Sequence, residues 1–144
     1  MSGMADSARK QRLAQFLDDV WGAGDVSAVP RYVAERYTIH NDPGDPWDGQ
    51  TLTRDGFRAR LVASRAVAPD QRFEPVRMVE QGDTVAVAWR WRGTHTGAAP
   101  GLPQPTGRVL TMTGATFYDF DADDQLTGHW QIADRLGVYR QMTE

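Results

Sequence analysis

The chain contains no cysteine, which excludes disulfide staples, thiolate nucleophiles and cysteine–zinc sites. Lysine is nearly absent: of the 16 basic residues only Lys10 is one. The arginines are scattered against a net charge of −3, so there is no basic stripe to follow a phosphate backbone and no nucleic-acid partner is expected. No apolar run approaches membrane-spanning length, and MSGMADSARKQR lacks the apolar segment of a signal peptide, so the expectation is no membrane association and a cytoplasmic location. There is also no G-x-S-x-G elbow, phosphate-binding glycine loop or dinucleotide fingerprint. The 3 histidines, His40, His95 and His129, fall in separate elements without ligand spacing, so no metal is expected either.

What is present suits one globular domain. At 144 residues the chain is long enough for a single proper core. Residues 1–6 read as a frayed tail and residues 7–144 as the domain. From Ser7, Leu13, Phe16, Leu17, Val20 and Trp21 recur at helical spacing, and Gly22 and Gly24 stop the helix. Asp25 is placed to cap a second, shorter helix with Val26, Val29 and Val33 facing inward and Pro30 in its early turns. YTIHN, residues 37–41, predicts a short strand that runs into the turn-rich loop DPGDPWDG with Trp47 at its tip. Thr53 is a candidate N-cap for a third helix through Phe57, Leu61 and Ala66, with Leu52 as its staple.

After Pro69 the period changes to two. FEPVRMVE, TVAVAWRWRGTH, residues 108–120 and LTGHWQIAD predict four strands joined largely as a meander, before a short amphipathic tail, LGVYRQM. In the second of these strands Val85, Val87, Trp89 and Trp91 share one face while Ala86, Ala88, Arg90 and Arg92 share the other. TGAAPGLPQPTGR is too rich in glycine and proline for regular structure. Helices gathered first and strands last predict an α+β fold: a curved antiparallel sheet packed against N-terminal helices to make a cone around a cavity.

The stretches FLDDVWGAGDVSAVPRYVAERYTIHN, QGDTVAVAWRWRGTHTG, PTGR and GHWQIADRLGVYRQM, in this order, resemble the SnoaL-like polyketide cyclases of the nuclear-transport-factor-2-like superfamily. The resemblance implies a conical α+β barrel with an apolar cavity. It further implies a cofactor-independent intramolecular aldol condensation on an aromatic polyketide ester. The family's acid/base is the aspartate of a W-x-x-x-D strand, matched here by Trp130 and Asp134. Cyclases of this family also place a histidine on the preceding strand; here that strand reads VLTMTGATFYDF, whose uncharged polar residues are Thr113, Thr116 and Tyr118.

Alternation puts Trp130, Ile132 and Asp134 on one face and His129, Gln131 and Ala133 on the other. With the first set lining the cone, Asp134 is a desolvated carboxyl poised to take a proton from carbon beside a carbonyl. The alternatives are an ion pair with Arg135, Arg90 or Arg92, or a cap for the final helix. His129 points away from Asp134 on this reading. His95 in GTHTG and His40 each end a predicted strand and are candidates to hydrogen-bond a substrate carbonyl or enolate; the alternative is a histidine satisfied by backbone. Asn41 is a candidate to orient an ester. Trp47, Trp89, Trp91 and Trp130 are candidate walls for a flat hydrophobic or aromatic ligand, Trp89 and Trp91 equally readable as core.

Three functions follow. One is a cyclase or isomerase-like enzyme with Asp134 and His95 as its catalytic pair. Another is an epoxide hydrolase or hydratase, which in this superfamily uses an Asp–Arg–Asp set. The third is a non-catalytic protein that binds a small hydrophobic molecule. Arg90 and Arg92, alternating with alanines on a flat sheet face, suit a homodimer contact.

Overall fold

A computed structural model describes residues 7–144; the tail expected over residues 1–6 lies outside the described residues. Helix α1 (Ala8–Phe16) starts where Ser7 accepts a hydrogen bond from the Lys10 amide, and it runs on as a π-helical segment, Leu17–Gly22. The wider turn keeps the expected apolar face, since Leu13, Phe16, Leu17, Val20 and Trp21 are all buried. Asp25 caps the next segment by accepting from the Ser27 amide.

That segment departs from the single helix expected. It is a 3₁₀ turn, Val26–Ala28, followed by one turn of helix α2 (Val29–Tyr32). Val26 is exposed, and Val33 opens strand β1 (Val33–Asn41) instead of closing a helix. Its Cα partner is Leu126 at the far end of the chain, so a long-range strand pairing overrides a local helical pattern. A short strand β2 (Thr51–Thr53), unforeseen from the sequence, pairs with β1 immediately before Thr53 caps helix α3 (Arg54–Arg65). Three residues are too few to show alternation.

The remaining strands are β3 (Arg72–Gln81), β4 (Thr84–Thr94), β5 (Val109–Phe120) and β6 (Leu126–Ala133), followed by helix α4 (Arg135–Thr143). The sheet is curved and unclosed, in order β2-β1-β6-β5-β4-β3. Strands β3 to β6 form the expected antiparallel meander, while β1 inserts beside β6 in parallel. Helices α1 and α3 cover the inner face. Val85, Val87, Trp89 and Trp91 point into that core, as the alternation predicted. Among the described residues no helix is long and apolar enough to cross a membrane.

Candidate functional site

The outer face of the sheet is ordered in rows across the strands. Glu74 of β3 is opposite Arg90 of β4, and Arg90 is opposite Thr113 of β5. The Asp134 amide donates to the Thr113 carbonyl at 3.0 Å, carrying the β5–β6 ladder one step past the Ala133–Gly114 pair. Asp134 therefore ends the row Glu74–Arg90–Thr113–Asp134. With strands about 4.8 Å apart, Arg90 and Asp134 stand roughly 10 Å apart at their Cα atoms, both on the outer face with Thr113 between them. The next row is Arg72, Arg92 and Thr111, and Thr111 exchanges hydrogen bonds of 2.8 Å with the side-chain amide of Gln141 on α4. These two rows line an open cleft of 490 Å³ that also reaches Trp91 and Met112.

This arrangement corrects one expectation about Asp134. The two residue sets on β6 alternate as predicted, but their faces are reversed. Trp130 and Ile132 are exposed on the outer face, and His129 is buried. Asp134 is exposed as well, so the desolvated setting inside a cone is absent. The reason is local. Asp134 begins α4, where its Oδ1 accepts from the Gly137 amide at 2.9 Å. The capping alternative is thus present, and the capping residue also lines the open cleft.

The inner face at this end of the sheet holds a buried polar cluster that the sequence reading did not assemble. Asp42, fully buried, accepts from Arg135 at 2.7 Å, from His129 Nε2 at 2.9 Å, and from Arg60 at 3.3 Å. The Gln131 amide lies 3.2 Å from both of its oxygens. Arg60 also donates to Asp45 at 2.8 Å. The hydroxyl of Tyr37 completes the chain at His129 Nδ1, 2.6 Å away. A carboxylate only accepts, so His129 donates from Nε2 and accepts the hydrogen bond of the Tyr37 hydroxyl on Nδ1. Gln131 then links outward to Thr116, which receives the Trp89 indole N–H.

Two carboxylates and two guanidiniums balance in this cluster, and a third positive charge would not. Burial accordingly pushes His129 below its ordinary value, against the opposing pull of Asp42. Burial alone would raise Asp42, but hydrogen bonds from His129 and Arg135 hold it below the usual carboxylate range. Tyr37 is pushed up by burial. Chemically the cluster is a brace. Arg135 ties the residue after Asp134 to Asp42 and to the Pro43 carbonyl, fixing α4 and the 42–50 loop against the sheet. Arg60 was the available sequence signal: it sits three positions after Phe57 on the buried stripe of α3, where a guanidinium demands buried carboxylates. The carboxylates come from DPGDPWDG.

The other predicted site residues are dispersed. His95 is fully buried on the inner face; its Nδ1 accepts from the Thr106 amide at 3.2 Å, fastening the loop that follows β4, and its Nε2 has no hydrogen-bond partner among the described residues. His95 and Asp134 therefore lie on opposite faces and are not brought together. Trp89 is buried core. Trp47 packs half-buried against that core, and Asn41 donates to the Gln131 carbonyl. His40 and Trp130 lie on the outer face, where His40 approaches Asp119 at 3.9 Å and Trp130 meets Phe117 edge to face. Of the four tryptophans considered as ligand walls, Trp91 borders the Asp134 cleft through its place on β4, with its indole buried in the core.

Comparison with known proteins agrees with this fold. The model of the SnoaL-like polyketide cyclase family matches residues 11–142, and the chain belongs to that family. It is similar over 99% of its length, and 98% of the other chain, to a proposed polyketide cyclase from Acidithiobacillus ferrooxidans, at 44% identity and a TM-score of 0.92. IdmH from Streptomyces antibioticus, another proposed polyketide cyclase, shares 24% identity over 96% of this chain and 100% of its own, with a TM-score of 0.78. TsrD from Streptomyces laurentii shares 22% over 95% and 96%, also at 0.78; both show the fold alone. No curated protein matches the chain.

Proposed function

We propose that this protein is a cofactor-independent cyclase that closes a ring in a hydrophobic, aromatic keto ester by intramolecular aldol addition. The observation that carries the reading is the shared cleft: a solvent-accessible carboxylate, Asp134, stands across Thr113 from Arg90, with Arg92 one row away. In this reading Asp134 removes a proton from the carbon beside one carbonyl. The guanidiniums of Arg90 and Arg92 stabilise the enolate oxygen that forms. The carbanion then adds to a second carbonyl of the same molecule, and the new alkoxide takes the proton back from Asp134, restoring the carboxylate. The buried cluster holds Asp134 in place through Arg135 and takes no part in proton transfer, because donors already occupy both oxygens of Asp42.

A second reading rests on Asp42–Arg60–Asp45, an Asp–Arg–Asp set of the type that activates water in hydratases. Mass spectrometry of the product separates the two. Aldol addition leaves the mass unchanged, whereas hydration or epoxide opening adds one water, labelled in oxygen-18 water. A product heavier by one water overturns the cyclase reading. The proposal includes a homodimer formed through the outer face of the sheet.

A further inference from the structure

Three side chains that carry or can take positive charge converge on Asp42, and they differ in their freedom to leave it. Arg60 has none. Its side chain is 6% exposed, lies over the Trp21 ring at 5.2 Å, and is held by Asp45 as well as by Asp42. His129 is as fixed, seated in the sheet between Ile39 of β1 and Tyr118 of β5. Arg135 differs, with a side chain 36% exposed. Its two hydrogen bonds, to Asp42 at 2.7 Å and to the Pro43 carbonyl at 3.0 Å, both go to the start of the 42–50 loop. Its stem lies against Gly44, where φ is +91° and a Cβ would stand 2.5 Å from Arg135 Cδ. Rotation about its own side-chain bonds takes this guanidinium into water without moving a helix or a strand.

The titratable and charged groups that face His129 are Tyr37 from β1, Tyr118 from β5, Arg60 from α3, and Asp42 and Asp45 from the loop, with Arg135 of α4 on the other oxygen of Asp42. Burial pushes both tyrosine hydroxyls up, so both are neutral. A proton added to His129 enters at Nδ1 and turns the Tyr37 hydroxyl from donor to acceptor. The cluster then holds three positive charges against two negative ones, and an uncompensated buried charge is costly. Arg135 alone has a path to water. The imidazolium keeps its bond from Nε2 to Asp42, now charge-assisted, and so takes over the pairing that Arg135 gives up.

We propose that proton uptake by His129 releases Arg135 from Asp42, so that the buried cluster is a pH-operated catch between α4 and the 42–50 loop. With the catch shut, Arg135 binds the first turn of α4, capped by Asp134, to the loop. With it open, the rest of α4 stays on the sheet through Gln141 and the buried Met142. Burial holds His129 below its ordinary value of 6.5, so the catch opens on the acid side of that value. The release follows from the geometry of the cluster. Its effect on turnover, a cleft whose carboxylate loses its brace in acid, rests on the proposed role of Asp134.

Nitrogen-15 NMR follows both partners in the wild type. The ring nitrogens of His129 report the proton, and the Arg135 Nε–H, bonded to the Pro43 carbonyl, reports the catch. The Arg65 Nε–H, bonded to the Trp21 carbonyl at 2.9 Å outside the cluster, is the control. From pH 7.5 to 4.5 the Arg135 Nε–H is expected to exchange about tenfold faster relative to that of Arg65. The change is expected at the midpoint of the His129 titration, with far-ultraviolet circular dichroism still native. In His129→Gln, which donates to Asp42 and cannot take the proton, the ratio is expected to stay constant. A His129 that titrates while the ratio stays constant, or a change with a different midpoint, overturns the inference. So does a His129 that takes no proton before the fold is lost, or a change that persists in His129→Gln and so belongs to Asp42. The wild-type midpoints decide the matter even where the variant does not fold. No readout needs turnover, so a failure of the ring-closure reading is seen separately.

Discussion

His129 and Asp42, 87 positions apart in the chain, meet at 2.9 Å on the inner face of the sheet. The contact makes a neutral histidine part of a charge-balanced cluster in which Arg60 and Arg135 already match the two carboxylates. Stability then depends on keeping His129 unprotonated, and the direction of the pH response follows.

In the folded protein His129 lies below its ordinary value of 6.5. Between the two values the unfolded chain binds more protons, so stability falls as pH drops below about 6.5 and continues falling to the folded value. Asp42 is likewise held below its ordinary value of 3.8, so its share is lost later, as pH falls through the acid range beneath that value. Urea midpoints measured from pH 7.5 to 4.5 are expected to decline in the wild type. His129→Gln, which still donates to Asp42 but cannot titrate, is expected to be less stable at pH 7.5 and to flatten that decline. An equal slope in the variant contradicts this account of the cluster.

Arg60→Met leaves Asp42 and Asp45 with one fewer buried cation, and removing one partner of a buried ion pair typically costs about 3–5 kcal/mol. Equilibrium urea denaturation at pH 7.5 measures the cost. A loss below about 1 kcal/mol, the scale of a surface ion pair, contradicts the burial and pairing described for Arg60.

Much of this arrangement was legible in the sequence, and the failures are instructive. The strict alternation in TVAVAWRWR placed Val85, Val87, Trp89 and Trp91 inward correctly because four large apolar side chains against alanines and arginines leave no ambiguity. In β6 the same rule separated Trp130 from His129 but says nothing about which set faces the helices. Trp130 and Ile132 look like core and His129 and Gln131 like surface. The reverse holds because Asp42 and Arg60, contributed by a loop and a helix, make that end of the core polar. Such a cluster has no local pattern; its members are brought together by the parallel insertion of β1 beside β6. Strand β2 escaped notice since it abuts the cap of α3 and spans three residues.

Gln141 ties α4 to the unpaired edge of β5 beyond the end of β6, bonding both the Thr111 amide and its carbonyl. Gln141→Leu removes both bonds and keeps the helix. The Thr111 amide is then expected to exchange with deuterium at least tenfold faster, about the effect of losing 1.4 kcal/mol of protection, while amides in the middle of β4 keep their rates. Two-dimensional NMR after transfer to deuterated water measures this; an unchanged Thr111 rate contradicts the described docking of α4.

The central claim, that Asp134 moves a proton at the carbon beside a carbonyl, is tested most directly by deuterium uptake. Aromatic β-keto esters are incubated in deuterated water with the wild type and with Asp134→Asn. Asparagine caps helices about as well as aspartate, so the variant keeps α4 and loses only the base. The expected result is enzyme-dependent uptake at the activated carbon that falls by about 10²–10⁴ in the variant. Uptake at the wild-type rate in Asp134→Asn, with the fold intact, contradicts the claim.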